Sequence, residues 1–173
     1  MKRVICLFLV VVSFQVAYSQ VEKWEILQGK DEFGDLVPND YTLQSYGEGE
    51  FSNSVSLEES LSVFLYIQKA DIVFGILEYG KYKASLGNTE YGKLIVRKDN
   101  GLKETFTVRV VNTFLAIMGD TSDRAEMIDI LKENKELKFL YQKNINQVYK
   151  FTINCNGFAS KYKEICSKWE QMQ

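Results

Sequence analysis

Stretches in which apolar and polar residues alternate with a period of two dominate this chain. In residues 63–68 the odd positions are aliphatic, and two further stretches, residues 94–97 and 104–111, flank an Asp-Asn-Gly turn at residues 99–101. An Asn-Gly pair supplies the positive φ angles that a tight hairpin turn requires. Because alternation places one set of side chains in a core and the other in solvent, the pattern predicts an antiparallel sheet.

Residues that favour strands, chiefly Val, Ile, Phe and Tyr, are concentrated in other segments as well. The further predicted strands are residues 22–28, 41–51, 72–79, 113–118, 137–142 and 148–154, with turns at residues 31–35 and 144–146.

Two segments have the period of a helix instead. Asp123 and Glu126 have the spacing of a capping box, which predicts a helix with Asp123 as its N-cap and its end near Asn134. After an Asn-Gly pair, apolar residues recur on one helix face. These residues are Phe158, Tyr162, Ile165, Cys166 and Trp169. The predicted fold is mainly β, an antiparallel β-sandwich or half-barrel with one short inserted helix and a C-terminal amphipathic helix.

The first 19 residues have the three parts of a secretory signal peptide. A basic start (Lys2, Arg3) precedes an apolar run at residues 4–12, and small residues precede the expected cleavage after Ser19. The apolar run is short for a bilayer of about 30 Å, which requires roughly 20 residues, so a membrane anchor is the less favoured alternative. We expect a soluble, periplasmic or extracellular protein with a single β-rich domain at residues 20–173 and no transmembrane segment.

Composition excludes several classes of function. Without the signal peptide the chain has 19 basic and 23 acidic residues, a net charge of −4, so we expect no nucleic-acid partner. The sequence contains no histidine, which removes the usual general base, the usual zinc ligand and every Ser-His or Cys-His nucleophile. We therefore expect a protein that is not an enzyme and has no cofactor, although a carboxylate pair remains chemically possible.

An acidic turn at Asp31, Glu32 and Asp35 offers oxygen atoms of the kind that calcium prefers. The spacing does not fit an EF-hand loop, which needs twelve positions and a final Glu. We favour a solvated turn and expect no metal site.

The near-repeat Glu-Tyr-Gly-Lys at residues 78–81 and 90–93 predicts the candidate binding surface. Tyr79, Tyr82 and Tyr91 would form an exposed cluster at one end of the sheet. A tyrosine offers a flat apolar face and a hydroxyl, which suit contacts with a protein or a sugar. The interpretation that we favour is that one repeat ends a strand and the other begins one, with glycines that let the chain bend. The three tyrosines are nevertheless the one candidate binding surface that the sequence offers.

Cys155 and Cys166 are the two cysteines that follow the signal peptide. Exported proteins commonly pair their cysteines. However, a helix that begins near Phe158 carries Cys166 about 12 Å along its axis, and a disulfide needs Cα atoms within about 7 Å. We therefore predict no disulfide and expect both cysteines to be free and buried.

Four segments support a resemblance to known proteins. A tryptophan strand at Trp24, Asp-x-Phe-Gly-Asp at residues 31–35, Gly-Glu-Phe-Ser-Asn-Ser at residues 49–54 and Phe-Thr-Ile-Asn-x-Asn-Gly-Phe at residues 151–158 occur in this order. This order is similar to that of small uncharacterised secreted proteins of Bacteroidetes. The strand and Gly-Phe helix at the end also resemble periplasmic β-sandwich accessory proteins of the invasion-associated and type VI secretion accessory types.

The resemblance implies a binding or accessory role and no particular site residue. We expect an exported, non-catalytic binding or accessory protein of the bacterial cell envelope, whose partner is an unknown protein or glycan. Two alternatives remain open: a carboxylate-dependent hydrolase of envelope polymers, and a structural subunit that pairs through an edge strand.

Overall fold

The computed structural model describes residues 23–84, 86–87, 91–117 and 122–171. The predicted signal peptide, and the strand ends predicted at Glu22 and Met118, lie outside these residues. The elements in chain order are β1 (Glu25–Lys30), β2 (Leu36–Ser52), β3 (Glu59–Ile67), β4 (Ile72–Glu78), β5 (Tyr82–Lys83), β6 (Gly92–Arg97), β7 (Lys103–Val111), β8 (Phe114–Ile117), α1 (Ser122–Glu133), β9 (Glu136–Asn144), β10 (Gln147–Asn154) and α2 (Phe158–Glu170). In the described part of the chain, neither helix is long and apolar enough to cross a membrane.

The strands close into an eight-stranded antiparallel barrel. Their order is β2-β10-β9-β6-β7-β8-β4-β3, and β3 pairs again with β2. β1 and β5 lie outside the ring, where they extend β2 and β4. The mainly-β prediction with two helices is confirmed. The sandwich or half-barrel is not confirmed, because the periodicity assigns side chains to faces but does not say which strands meet at the edges.

The interior of the barrel is filled by the inward side chains of the alternating strands. The predicted inward residues of β3 (Val63, Leu65, Ile67) are all fully buried. Phe139 stacks on Phe151 at 4.9 Å, and Phe74 contacts both rings. An eight-stranded barrel is just wide enough for side chains to fill it. Ligand contacts are therefore expected on the outer wall or at the two ends of the barrel.

One end of the barrel, called the helix end below, is covered by α1. This helix runs from the β3–β4 turn, where Arg124 donates to the carbonyl of Gln68, to the β6–β7 turn, where the Lys135 backbone N–H donates to Asp99. Its buried side chains are Met127, Ile128, Ile130 and Leu131. The expected end near Asn134 is confirmed. The predicted N-cap is wrong, because α1 begins at Ser122 and Asp123 lies inside its first turn, where its carboxylate accepts from the Thr107 backbone.

The second helix covers the part of the sheet that extends beyond the barrel. α2 begins at Phe158, as predicted, directly after Gly157 at φ 84°. The ring centres of Phe158 and Trp24 are 4.7 Å apart, and the Trp169 indole donates to the carbonyl of Tyr41. The indole of Trp24 donates in turn to the carbonyl of Asn154. These contacts fix α2 and the β1–β2 hairpin to the wall of the barrel.

β2 is the one predicted strand that is much longer than expected. It begins at Leu36, before Pro38, whereas the predicted strand begins at residue 41. The ladder with β1 shifts register between Gln28 and Lys30, and Asn39 adopts φ 67°. This bulge accommodates a residue that cannot donate a ladder hydrogen bond.

Candidate binding surface

The opposite end of the barrel, called the turn end below, carries the three tyrosines predicted from the sequence. The exposed fractions are 41% for Tyr79, 59% for Tyr82 and 63% for Tyr91. The Tyr79 and Tyr82 rings meet edge to face at 6.3 Å. Tyr91 precedes β6 at the same end, but among the described residues no ring contact joins it to the other two. The structure thus brings two of the tyrosines into contact and places the third on the same rim.

Tyr79 is held in an unusual conformation. Its backbone is in the left-handed region at φ 53°, which is uncommon for a bulky residue and costs on the order of 1–3 kcal/mol. Its ring packs edge-on against buried Phe51 at 5.1 Å, and its hydroxyl lies 2.9 Å from the Ser56 hydroxyl. These contacts hold the side chain in place and fix the direction in which the exposed face of the ring points.

Exposed aliphatic side chains lie at the same end of the barrel as the tyrosines. In the β2–β3 connection Val55 is 90% and Leu57 80% exposed, and in the β9–β10 turn Ile145 is 86% exposed. Both connections are at the turn end, because β2 and β9 finish there while β3 and β10 start there. We call the set of Tyr79, Tyr82, Tyr91, Val55, Leu57 and Ile145 the tyrosine rim.

The connections that carry the aliphatic residues are ordered by asparagine side chains. The Asn53 carboxamide oxygen accepts from the backbone of Val55 and of Ser56, each at 2.8 Å. The Asn144 oxygen accepts from the backbone N–H of Asn146 at 2.9 Å. Such side-chain turns fix a loop in place. The exposure of Val55 and Ile145 is therefore a property of defined turns.

A buried polar network supports the rim from below. Tyr149 is fully buried, and its hydroxyl donates to the Glu78 carboxylate at 2.8 Å and accepts from the Gln147 carboxamide. Its ring stacks on Phe51 at 6.0 Å. Burial, and then the bond to Glu78, raises the pKa of Tyr149 well above its usual range. The network joins β10 to the end of β4, directly before Tyr79.

Two described residues that follow β5 pack at the same end of the barrel. Ala84 and Leu86 are buried, and their backbone N–H groups donate to the carbonyls of Ile76 and Asn112. The rim therefore sits on a packed floor. One lysine lies beside an aromatic face of the rim, with the Lys81 ammonium 5.5 Å from the centre of the Tyr82 ring. The surface thus combines apolar faces with a cationic donor.

Two carboxylates share one groove on the outer wall. Glu50 and Glu58 both line it, and the Lys150 ammonium bonds Glu50 at 2.7 Å. The bond and charge of Glu50, with a smaller contribution from Glu58, raise the pKa of Lys150. Of the two carboxylates, that of Glu50 is thus bonded directly to the Lys150 ammonium.

The acidic turn at Asp31, Glu32 and Asp35 is held by hydrogen bonds within its own loop. The Asp31 carboxylate accepts from the backbone N–H groups of Phe33 and Asp35, each at 2.9 Å, so it organises its own loop. Within the described residues no cluster of acidic or thiol side chains is placed to hold a metal ion.

The edge of the sheet is short. β1 has six residues and, among the described strands, pairs with β2 alone. Its two aliphatic side chains are Ile26, which packs on the core, and Leu27, which is partly exposed. A long apolar edge would be the signature of an assembly strand.

The two cysteines are not bonded to each other. Cys155 is buried, whereas Cys166 on α2 is only half-buried. The expectation that both would be buried therefore holds for Cys155 alone. Burial, with smaller contributions from the charges of Asp99 and Glu136, raises the pKa of Cys155 to about 12. A thiol with so high a pKa is a packing group and a poor nucleophile.

The predicted turn at residues 144–146 contains Ile145, but the sequence did not single out Val55, Leu57 or Ile145 as members of a binding surface. The available signal was an asparagine shortly before each turn, Asn53 before Val55 and Asn144 before Ile145, because such asparagines initiate turns.

No family model matches this chain, and no curated protein or solved structure matches it either.

Proposed function

We propose that this chain is an exported, non-catalytic binding or accessory protein of the bacterial cell envelope, and that the tyrosine rim is the surface that binds its partner. Export and an envelope location rest on the signal-peptide pattern of residues 1–19 and on the resemblance to secreted Bacteroidetes proteins. A periplasmic or extracellular position follows from the same pattern.

One observation carries the choice of surface. Three connections that are far apart in sequence each expose apolar or aromatic side chains at the same end of the barrel, and the most exposed of these reach 80–90%. Exposed aliphatic residues give an isolated domain no stability, whereas gathered on one surface they mark an interaction site. The positive φ of Tyr79 supports the same choice, because strain of this kind concentrates at functional positions.

The rim favours a protein partner over a glycan. Tyrosine rings suit either partner, but protruding aliphatic side chains gain free energy by entering apolar pockets on another protein. The fixed turns at Asn53 and Asn144 reduce the conformational entropy that binding costs. A glycan partner remains an outcome that the experiment can distinguish.

The experiment is affinity capture from the native envelope fraction with the mature chain as bait. Two variants are compared with the wild type: the triple variant Tyr79→Ala, Tyr82→Ala, Tyr91→Ala, and the triple variant Val55→Ser, Leu57→Ser, Ile145→Ser. The second set is almost free of intramolecular contacts, so it changes the surface without loss of folding.

We expect both variants to lose at least nine-tenths of the captured partner. The matched control is Tyr46→Ala, which removes an exposed tyrosine from the outer wall of β2. Circular dichroism and the melting temperature establish that each variant is folded. Equal capture by both rim variants and the wild type would refute the proposal, and loss only with the tyrosine set together with elution by sugars would replace a protein partner with a glycan.

A further inference from the structure

A groove on the outer wall has an unusual distribution of charge. Its volume is about 630 Å³, and it crosses β7, β6, β9, β10 and β2 and reaches Glu58, the residue that follows Leu57 of the tyrosine rim. Along its side nearest the helix end, Lys103, Arg97 and Lys138 are direct partners on three adjacent strands. Like charges directly opposite each other on a sheet destabilise it. The row therefore costs stability that an anionic ligand would recover.

The row is only weakly neutralised. In the described part of the chain no ion pair involves Arg97 or Lys103, and Lys138 has a long contact of 3.8 Å with Glu136, in which both side chains are about half exposed. The nearby Lys98, in contrast, is paired with Glu104 at 2.9 Å. The protein as a whole is acidic, with a net charge of −2, so this row is a local exception.

The floor of the groove next to the basic row is aliphatic. Ile95 and Leu140 are direct partners, one on β6 and one on β9, and both are half-buried. On the far side of this floor Lys150 pairs with Glu50, and Glu58 also lines the groove. Across the wall, the ligand would meet cations, then an apolar floor, then carboxylates.

This order favours a peptide over a uniform polyanion. Glu50 and Glu58 would repel a nucleic acid or a sulfated polysaccharide that extended along the groove. The two aromatic residues that line it, Phe139 and Phe151, are each 2% exposed and offer no ring face for a base or a sugar. A peptide can supply acidic side chains, an aliphatic side chain and hydrogen-bond donors in sequence.

We propose that this groove binds an extended acidic peptide segment, in which two or three Asp or Glu side chains contact the basic row and a following aliphatic side chain covers Ile95 and Leu140. The basic row and the aliphatic floor contain no member of the tyrosine rim, and the proposal does not depend on the function assigned to that rim.

The test is fluorescence anisotropy with a labelled peptide, Gly-Asp-Glu-Asp-Leu-Ile-Gly-Ser, and the mature chain. We expect saturable binding that weakens at least tenfold in the double variant Arg97→Glu, Lys138→Glu. The matched control is Lys163→Glu, which reverses one exposed charge on α2 and should leave the affinity unchanged. A peptide with Lys in place of its acidic residues should bind the double variant better than it binds the wild type.

A second peptide, with Leu-Ile replaced by Ser-Ser, tests the aliphatic floor and should bind at least fivefold more weakly. The triple tyrosine variant should bind the first peptide as the wild type does, which separates this proposal from that of the rim. Absence of binding to the first peptide, or unchanged affinity in the double variant, would overturn the proposal. The proposal would also be overturned if dextran sulfate and the Ser-Ser peptide both bound as tightly as the first peptide, because the site would then be a general polyanion surface.

Discussion

The hydroxyl of Tyr149 donates a hydrogen bond of 2.8 Å to the carboxylate of Glu78, which lies 71 residues earlier in the chain. The bond joins two strands that are not neighbours in the sheet, since β10 lies between β2 and β9 while β4 lies between β3 and β8. It therefore crosses the mouth of the barrel. Because Glu78 directly precedes Tyr79, the same bond fixes the base of the tyrosine rim.

Removal of the Glu78 carboxylate should destabilise the protein more than its replacement by another oxygen acceptor. Glu78→Ala leaves the buried hydroxyl of Tyr149 without its acceptor, and we expect a loss of about 1–3 kcal/mol in the free energy of unfolding. Glu78→Gln keeps an oxygen acceptor and should cost less than about 1 kcal/mol. Urea unfolding of both variants measures the difference. Equal losses would show that the carboxylate acts by its charge rather than as an acceptor.

The raised pKa of Tyr149 predicts a loss of stability in alkali. The neutral hydroxyl is favoured in the folded state, so the stabilisation is complete below the ordinary tyrosine pKa of 10.0 and is lost as pH rises above it. The slope is at most about 1.4 kcal/mol per pH unit for one proton. Urea unfolding between pH 9 and 11.5 should show a steeper decline for the wild type than for Tyr149→Phe. Parallel curves would contradict the assignment.

Cys155 should be unreactive in the folded protein. Its thiol is buried and its pKa is raised to about 12, so iodoacetamide at pH 8 should label the half-buried Cys166 first. In denaturant without reductant both cysteines should react, whereas no reactive thiol there would reveal a disulfide.

The raised pKa of Cys155 also predicts that stability declines from about pH 9 towards pH 12. The decline should be smaller in Cys155→Ala, as measured by urea unfolding. For the labelling experiment, mass spectrometry of the labelled peptides gives the order in which the two cysteines react.

Ser45 carries a buried polar atom that does not contribute to stability. The residue is fully buried and faces into the barrel from β2, and among the described residues its hydroxyl has no hydrogen-bond partner. Ser45→Ala should raise the free energy of unfolding by about 1 kcal/mol. The matched control is Ser62→Ala on the outer side of β3, which should be nearly neutral. A destabilisation by Ser45→Ala would show that the hydroxyl is bonded in solution.

The sequence predicted the strands and their faces but not their closure into a barrel. Period-two alternation is a local property and places Val63, Leu65 and Ile67 inside correctly. Closure depends on how β2 bends so that it pairs with both β3 and β10. The available signal is a pair of glycines in β2: a Cβ at Gly49 would lie 1.9 Å from the Lys150 carbonyl oxygen, and one at Gly47 would lie 2.5 Å from that of Thr152. Glycines in a strand mark such close approaches.

The candidate site was predictable in part. The Glu-Tyr-Gly-Lys repeat predicted three tyrosines, and all three are exposed at the turn end. The aliphatic members of the rim depend on which loops meet in space, and that follows from closure of the barrel. The basic row was hidden for the same reason, because Lys103, Arg97 and Lys138 become neighbours only through strand pairing.

Site-specific photo-crosslinking tests the central claim, partner binding by the tyrosine rim, most directly. Benzoylphenylalanine is placed at Leu57 or Ile145 in the rim, and at Lys163 on α2 as the control, and each protein is irradiated in native envelope extract. We predict one adduct of the same mass from both rim positions and none from the control, and its loss when Tyr79→Ala and Tyr82→Ala are added. The account would be contradicted by equal yields of that adduct from Lys163, or by no rim adduct while the partner still copurifies with the protein.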